Sequence, residues 1–234
     1  MLIHAQTGMR VMPAGTVAPE LPEAFDETGT LKAMPATYWQ EKTRTDRMLF
    51  GHKNALYAFP TIEGIEHINS LIGDRSAIEI GAGNGAFCKA LGIPGTDSYQ
   101  QAHPHYAMLY KLQGQPTINY GAHVRRMDAL QAVKFHKPKI VIAAWVTHKY
   151  DPLRHANGGN EAGVDEHALL RKVDEYIFIG NSNIHQTKLI FEDIECGIIK
   201  THAVENIIMD SRLFPSRAQG GVDFLVHIKR KKKN

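Results

Sequence analysis

Hydrophobic residues in the middle of this chain alternate between helical and strand spacing. Isoleucines and leucines at positions 62, 65, 68, 71 and 72 recur every three or four residues, which predicts a helix that Thr61 caps and Gly73 ends. The apolar run 77–80 predicts a strand, and shorter runs that follow it end at Asp97 and Asp128. The segment 137–148 is the most continuous apolar run and predicts a strand that is buried on both faces.

Later segments continue this alternation. Residues 164–173 predict a helix, and residues 175–181 predict another strand. Because strands and helices alternate from about 76 to 190, we expect an α/β fold with a mostly parallel sheet and helices on both faces. The segments 203–209 and 222–230 predict a C-terminal antiparallel strand pair.

The segments around this pattern are less regular. Residues 1 to about 35 lack sustained periodicity and predict an irregular arm, whereas 36–50 predicts an amphipathic helix. The segment 103–113 predicts a helix with Met108, Leu109 and Leu112 facing inward. The polar segment 149–163 is too long for a simple connector, so we expect a functional loop there.

Composition is that of an ordinary globular protein. Of the 234 residues, 43% are hydrophobic and 22% are charged. No apolar run approaches the ~20 residues that cross a bilayer, and the N-terminal segment lacks an apolar signal core, so we expect a cytoplasmic protein. Cys88 and Cys196 form neither a metal spacing nor a disulfide framework, which fits a reducing compartment, and Cys88 is expected to be buried and structural.

Positive charge is concentrated at one end of the chain. The net charge is +3, and the last residues include five basic ones: Lys229, Arg230, Lys231, Lys232 and Lys233. Without them the remainder is slightly acidic, which argues against a basic nucleic-acid-binding face. The segment 229–234 predicts a solvated tail, and its contact with RNA, DNA or an acidic partner stays open.

A glycine-rich turn lies between a strand and a helix at 76–91. Its spacing is Gly81-x-Gly83-x-Gly85, with Glu79 two positions before the first glycine. Such glycines let the backbone approach a ligand closely. No Gly-Lys-Ser/Thr follows, which excludes a P-loop, and the third glycine does not have the dinucleotide spacing.

The segment Glu79-Ile80-Gly81-Ala82-Gly83-Asn84-Gly85 resembles the first motif of the class I S-adenosylmethionine-dependent methyltransferases. The resemblance extends over roughly 57–230 and implies a Rossmann-like fold that binds S-adenosylmethionine. It also implies the boundaries of the parts: an N-terminal arm and helical extension over 1–56, a methyltransferase-like domain over 57–228 and a basic tail over 229–234.

The resemblance assigns cofactor contacts to residues at the ends of the predicted strands. Asp97 matches the acidic residue that binds both ribose hydroxyls, with Ser98 beside it, and Asp128-Ala129 matches the pair that borders the adenine. Trp145 follows the fourth strand, where these enzymes place substrate groups. Pro60 and Thr61 resemble the segment that lines the methionine side. The gap between Gly81 and Asp97 is short for the family and requires a helix of about two turns.

Residues for the chemical step are sought on the loops that follow the strands. Methyl transfer from a sulfonium needs in-line positioning and sometimes a base, and the catalytic candidates are His148, Tyr150 and His185. The histidines at 103, 105 and 155 lack metal-ligand spacing, so no metal is expected. The Asp/Asn-Pro-Pro-aromatic and Pro-Cys motifs of DNA base methyltransferases are missing, which argues against those routes.

The sequence leaves three functions open. The favoured one is methyl transfer from S-adenosylmethionine to an unidentified acceptor, a small molecule or a macromolecule. A protein that keeps the fold as a non-catalytic binding or scaffold module is the first alternative, because no catalytic motif follows the fourth strand. An NAD-dependent oxidoreductase is the second, and the glycine spacing argues against it.

Overall fold

The computed structural model describes residues 16–232. Seven strands form one sheet in the order β3-β2-β1-β4-β5-β7-β6. Their bounds are β1 (Ala77–Ile80), β2 (Gly95–Asp97), β3 (Val124–Arg126), β4 (Ile140–Ala144), β5 (Glu175–Asn181), β6 (His202–Met209) and β7 (Asp223–Arg230). The first five strands are parallel, and β7 lies antiparallel between β5 and β6. The predicted fold class is confirmed.

Eight α-helices accompany the sheet in the described residues. They are α1 (Ala36–Gln40), α2 (Arg44–Lys53), α3 (Ile62–Ile72), α4 (Ala86–Leu91), α5 (Pro104–Leu112), α6 (Ala129–His136), α7 (Glu166–Leu170) and α8 (Leu189–Glu195). The ends of α3 are those predicted: the Thr61 hydroxyl accepts from the Gly64 N–H at 2.9 Å, and Gly73 ends the helix with a positive φ of 56°. No helix among the described residues is long and apolar enough to cross a membrane.

The central strand β4 explains why the core has two sides. Ile140 and Ile142 point to one face of the sheet, where α3 and α4 pack, and Val141 and Ala143 point to the other. All four residues are fully buried. A strand buried on both faces shows a continuous apolar run, which is why 137–148 has no polar alternation.

Two details of the predicted helices are corrected. The segment 36–50 forms two helices, because Thr43 and Asp46 make a capping box that starts α2. The α5 helix exists, but Met108, Leu109 and Leu112 are 59%, 39% and 73% exposed rather than inward.

The basic tail is also shorter than expected. Lys229 and Arg230 belong to β7, and the Arg230 side chain donates to the Val173 carbonyl at 2.7 Å. Lys233 lies outside the described residues. The solvated tail therefore begins no earlier than Lys231.

The N-terminal extension is packed against the domain. Trp39 stacks on Phe59 with ring centroids 4.5 Å apart, and Phe50 lies beside both rings. Ala86, at the start of α4, belongs to the same apolar cluster. The extension thus reaches the glycine turn.

Candidate cofactor site

The glycine turn is built so that side chains are excluded at two of its positions. Gly81 and Gly85 both have positive φ, of 61° and 83°. A Cβ on Gly81 would lie 2.5 Å from Val146 Cγ1, and one on Gly85 would lie 2.2 Å from His123 Nε2. Glycine is therefore required at both positions by backbone conformation and by crowding.

Three amide hydrogens of this turn are bound within the protein. Ala82 N–H donates to the Thr96 carbonyl at 3.0 Å, Gly83 N–H to Asp97 Oδ2 at 3.0 Å, and Gly85 N–H to the Ala82 carbonyl at 2.7 Å. A phosphate-binding turn instead directs its N–H groups at the ligand. This turn is consequently poorly suited to a pyrophosphate.

Asp97 joins the turn to the end of β2. Its second oxygen, Oδ1, accepts from the Tyr99 N–H at 2.8 Å. Burial raises the pKa of the Asp97 carboxyl, while the Tyr99 and Gly83 hydrogen bonds oppose the rise. Each carboxylate oxygen keeps a free lone pair, so the predicted role toward two ribose hydroxyls is chemically possible. The turn and Asp97 meet despite the short gap, because α4 has only six residues.

Glu79 lies beneath the same turn. The side chain is 1% exposed, and its Oε2 accepts from the Cys88 N–H at 2.8 Å. Burial raises the pKa of Glu79 to about 8, and nearby Asp97 adds to the rise. Cys88 is fully buried, as predicted, and its thiol donates to the Gly85 carbonyl. Glu79 therefore holds the start of α4.

Asn84 connects the turn to the N-terminal arm. Its Oδ1 accepts from the Leu31 N–H at 2.7 Å, and its Nδ2 donates to the Gly29 carbonyl at 3.2 Å. Lys89, one turn further along α4, pairs with Asp26 of the arm at 2.7 Å. The arm is thus fastened to the site at two points.

Two adjoining cavities follow the carboxyl edge of the sheet and together form what we call the cofactor cleft. One lies against the turn from Gly81 to Asn84, and the other, of about 200 Å³, runs past Asp97 and Ser98 to Trp145. Both are lined by Tyr57, Gly81, Ile118 and Ala144. Among the described residues, the lining of the cleft contains Glu79 and Asp97 but no lysine, arginine or histidine.

One wall of the cleft was not predicted. Gln101 Nε2 donates to the hydroxyls of Tyr57 and Tyr110 at 3.1 and 3.0 Å, and its Oε1 accepts from the Ile118 N–H at 2.9 Å. Tyr120 also lines the cleft and accepts from the Gln101 N–H at 3.2 Å. The feature of the sequence that could have predicted this wall is the high frequency of tyrosines between positions 99 and 120.

Trp145 closes the far end of the cleft. Its backbone has positive φ, 60°, and its ring lies 6.0 Å from that of Tyr57 and edge-on to His185 at 5.1 Å. The indole Nε1 is buried without a hydrogen-bond partner. Strain and an unpaired donor at one residue are typical of a ligand-binding position.

The predicted functional loop forms the opposite wall. Asn160, Ala162, Gly163 and Val164 line the cleft, and the loop folds back on itself through the Tyr150 N–H, which donates to the Asn160 carbonyl at 2.9 Å. Arg154 anchors the loop to the buried Asp193 at 2.5 Å.

Five predicted cofactor contacts lie outside the lining of the cleft, and one of them is Gly85, the residue that precedes α4. Asp128 caps α6, accepting from the N–H groups of Leu130 and Gln131 at 2.9 and 3.0 Å, and Ala129 is the first residue of that helix. Thr61 caps α3 and donates to the Leu213 carbonyl at 2.6 Å, and Pro60 precedes it. Their contacts in this structure are structural ones.

The three catalytic candidates are not brought to the cleft. His148 and Tyr150 line a separate cavity of about 210 Å³, where burial and Lys188 lower the pKa of His148. His185 is buried behind Trp145, and its Nδ1 accepts from the Asn181 N–H at 2.9 Å. Burial and Lys188 lower the pKa of His185 to about 3, so its ring is neutral at physiological pH.

The histidines at 103, 105 and 155 are exposed. The described part of the chain contains no group of three or more His, Cys, Asp or Glu side chains that could hold a metal ion.

Several solved structures of low sequence identity are similar to this chain. Magnesium protoporphyrin IX methyltransferase from Synechocystis PCC 6803 with bound S-adenosylmethionine is 13% identical, with a TM-score of 0.43 over 73% of this chain and 81% of that chain. An rRNA methylase from Streptococcus thermophilus is 12% identical, with a TM-score of 0.41 over 72% and 95%. A structure solved in work on the conversion of a disulfide bond into a thioacetal group during echinomycin biosynthesis is 13% identical. Its TM-score is 0.43 over 75% of this chain and 84% of that chain.

No family model and no curated protein matches the sequence. Likeness at these scores says nothing of activity, so the assignment of fold rests on the sheet itself. Five parallel strands carry the glycine turn after β1 and the acidic residue at the end of β2, and an antiparallel strand lies between β5 and β6. The chain therefore has a Rossmann-like α/β fold with a C-terminal antiparallel strand pair, as the resemblance to the class I methyltransferases implied.

Proposed function

We propose that this protein binds S-adenosylmethionine in the cofactor cleft and transfers its methyl group to an acceptor. The observation that carries the proposal is the character of the lining, which has the Asp97 carboxyl group, the buried Glu79 carboxyl group and several aromatic rings but no cationic side chain among the described residues. Carboxylates and aromatic faces favour a cationic sulfonium. The pyrophosphate of a dinucleotide would need free N–H groups or cations, so the same observation disfavours NAD.

The residues present fit the cofactor. Asp97 would accept from the ribose hydroxyls, since both of its oxygens retain acceptor capacity. The turn from Gly81 to Gly83 would lie against the methionine portion, and Tyr57 and Trp145 offer aromatic faces nearby. When bound, the cofactor supplies an electrophilic methyl group.

The protein's own contribution to methyl transfer would be to position the acceptor against the cofactor. The cleft lining lacks a histidine among the described residues, so no strong base faces a ligand there. The loop 149–163 forms a wall of the cleft that would exclude water and orient the acceptor. An acceptor that is already nucleophilic suits such a site.

Titration calorimetry with S-adenosylmethionine and S-adenosylhomocysteine tests the proposal. We expect binding by the full chain and a loss of roughly tenfold or more in Asp97→Asn, because an amide directs hydrogen atoms at donors that the carboxylate satisfied. Asp128→Asn is the matched control, since asparagine also caps helices well. No binding of either ligand at high micromolar concentration, or a preference for NAD(H), would overturn the proposal.

Turnover separates an enzyme from a non-catalytic binding module. Transfer of a labelled methyl group to components of a cell extract is expected of the enzyme, and cofactor binding without any transfer would favour the scaffold alternative. An RNA or DNA acceptor that uses the basic tail is tested by deleting 231–234. The deletion leaves Arg230 in place because that residue is part of β7.

A further inference from the structure

The backbone that follows β4 forms one wall of the cofactor cleft in a strained conformation. Trp145 has a positive φ of 60°, and both Trp145 and Val146 line the cleft. Val146 also packs on the glycine turn, because its Cγ1 lies 2.5 Å from the position of a Cβ on Gly81. A residue other than glycine keeps such a conformation only where the surrounding contacts hold its backbone. The contacts on either side of Trp145 therefore decide the shape of this wall.

Lys188 supplies one of these contacts. The Trp145 N–H donates to the Ile179 carbonyl of β5 at 2.9 Å, which fixes the backbone before the strained residue. The Lys188 ammonium donates to the Val146 carbonyl at 3.1 Å, which fixes the backbone after it. Lys188 is 2% exposed and belongs to the lining of neither cavity of the cleft. It therefore reaches the cleft through Val146.

A buried network holds the ammonium in place. Glu166 Oε2 lies 2.8 Å from Lys188 Nζ, and both side chains are almost fully buried. The Tyr176 hydroxyl donates to Glu166 Oε1 at 2.6 Å, and Lys188 Nζ lies 4.5 Å from the centroid of the Phe178 ring. Buried ion pairs often add nothing to stability compared with apolar residues of similar size. Stability alone therefore does not explain this pair, whereas the bond to Val146 gives it a role.

We propose that Lys188 is a positioning residue, whose bond to the Val146 carbonyl holds Trp145 and Val146 in the arrangement that receives a ligand in the cofactor cleft. Glu166 neutralises the ammonium and lies outside the lining of the cleft. His185, on the same segment as Lys188, supports the indole of Trp145 from behind, with ring centroids 5.1 Å apart. The inference rests on the proposed function for the identity of the ligand.

Two variants separate positioning from stability. Glu166→Gln keeps the donor to Val146 but leaves the buried ammonium without its anion, so it should melt at a lower temperature than the wild type. Lys188→Met combined with Glu166→Gln removes both charges and should melt at a higher temperature than Glu166→Gln, although no ammonium then donates to Val146. Each variant is titrated with S-adenosylhomocysteine beside the wild-type chain. Lys139→Met, which removes an exposed lysine just before β4, is the control for net charge.

We expect S-adenosylhomocysteine to bind the double variant roughly tenfold more weakly than the wild type, because a buried carbonyl loses its donor and the strained wall relaxes. Glu166→Gln and Lys139→Met should bind it as the wild type does. A merely structural role predicts the opposite order, in which the less stable Glu166→Gln binds more weakly than the double variant. That order, or equal affinities of the double variant and the wild type, would overturn the inference.

The indole Nε1–H resonance of Trp145 gives a second measurement that needs no ligand. In NMR spectra of the free chain it should shift further in the double variant than in Glu166→Gln, with the other tryptophan, Trp39, as the reference in the same spectrum. An unshifted Trp145 resonance in the double variant would contradict the proposal. Failure of the proposed function gives a different result, because the wild-type chain would then not bind S-adenosylhomocysteine while the Trp145 resonance still shifted in the double variant.

Discussion

Replacing Glu79 by glutamine should change how stability depends on pH. The folded protein holds the Glu79 proton up to a pKa of about 8, whereas the ordinary value is 4.5. Between these values the folded state binds one proton more than the unfolded state, so the stability contributed by the protonated carboxyl is complete below 4.5 and is lost as the pH rises toward 8. From pH 5 to pH 7.5 the loss amounts to about 3 kcal/mol, a factor of ten in the folding equilibrium for each pH unit.

Glutamine cannot ionise, and its amide oxygen can still accept from the Cys88 N–H. We therefore expect Glu79→Gln to resemble the wild type near pH 5 and to become more stable than the wild type by about 3 kcal/mol near pH 7.5. Urea unfolding at several pH values measures the difference. Glu66→Gln removes an exposed carboxylate from α3 and serves as the control for net charge.

The result that refutes this reasoning is a constant difference between the wild type and Glu79→Gln across the pH range. Parallel curves would mean that the folded protein holds Glu79 ionised at pH 5. The inference that burial keeps the Glu79 carboxyl protonated would then be wrong.

Three other outcomes follow from single contacts. Asn84→Ala removes two hydrogen bonds to the arm, so urea unfolding should show a free energy of unfolding lower by about 1–2 kcal/mol. Limited proteolysis should also cut the arm faster, and an unchanged rate of cleavage would contradict the claim that Asn84 holds the arm in place. Lys188→Met leaves its fully buried partner Glu166 unpaired and should cost about 3–5 kcal/mol, whereas adding Glu166→Gln should recover much of that loss. Because the pKa of His185 is lowered to about 3, NMR should show a neutral ring down to about pH 5, and titration near 6.5 would refute its burial.

The order of helices and strands could be predicted because each element shows its own local spacing of apolar residues. Strand β4 is apolar throughout, β5 is apolar from Tyr176 to Ile179, and the ends of α3 carry the residues that cap helices. Asp97 could be placed as well, since the carboxyl ends of parallel strands meet at one edge. These features depend on neighbours in the sequence or on sheet geometry that all such folds share.

Features that depend on which partner a helix meets were missed. The α5 helix has an apolar face and a tyrosine face. The tyrosine face turns inward because the Tyr110 hydroxyl accepts a hydrogen bond from Gln101, 9 residues earlier in the chain. Periodicity alone does not predict that this hydrogen bond forms while Met108, Leu109 and Leu112 stay exposed. Asp128 carried a local signal, because Gln131 stands three positions later as in a capping box. That spacing predicts a helix cap, which is the role the carboxylate has in the structure.

The position of β7 has a consequence for the order of folding. This strand is the latest of the seven in the chain, yet it pairs with β5 along seven residues and separates β5 from β6. A nascent chain that has not yet released Asp223–Arg230 from the ribosome exposes the edge of β5, and β6 has no neighbour with which to form a ladder. Exposed apolar edges invite intermolecular pairing. Synthesis must therefore pass β7 before the sheet can close, and products that terminate earlier should be substrates for chaperones or aggregation.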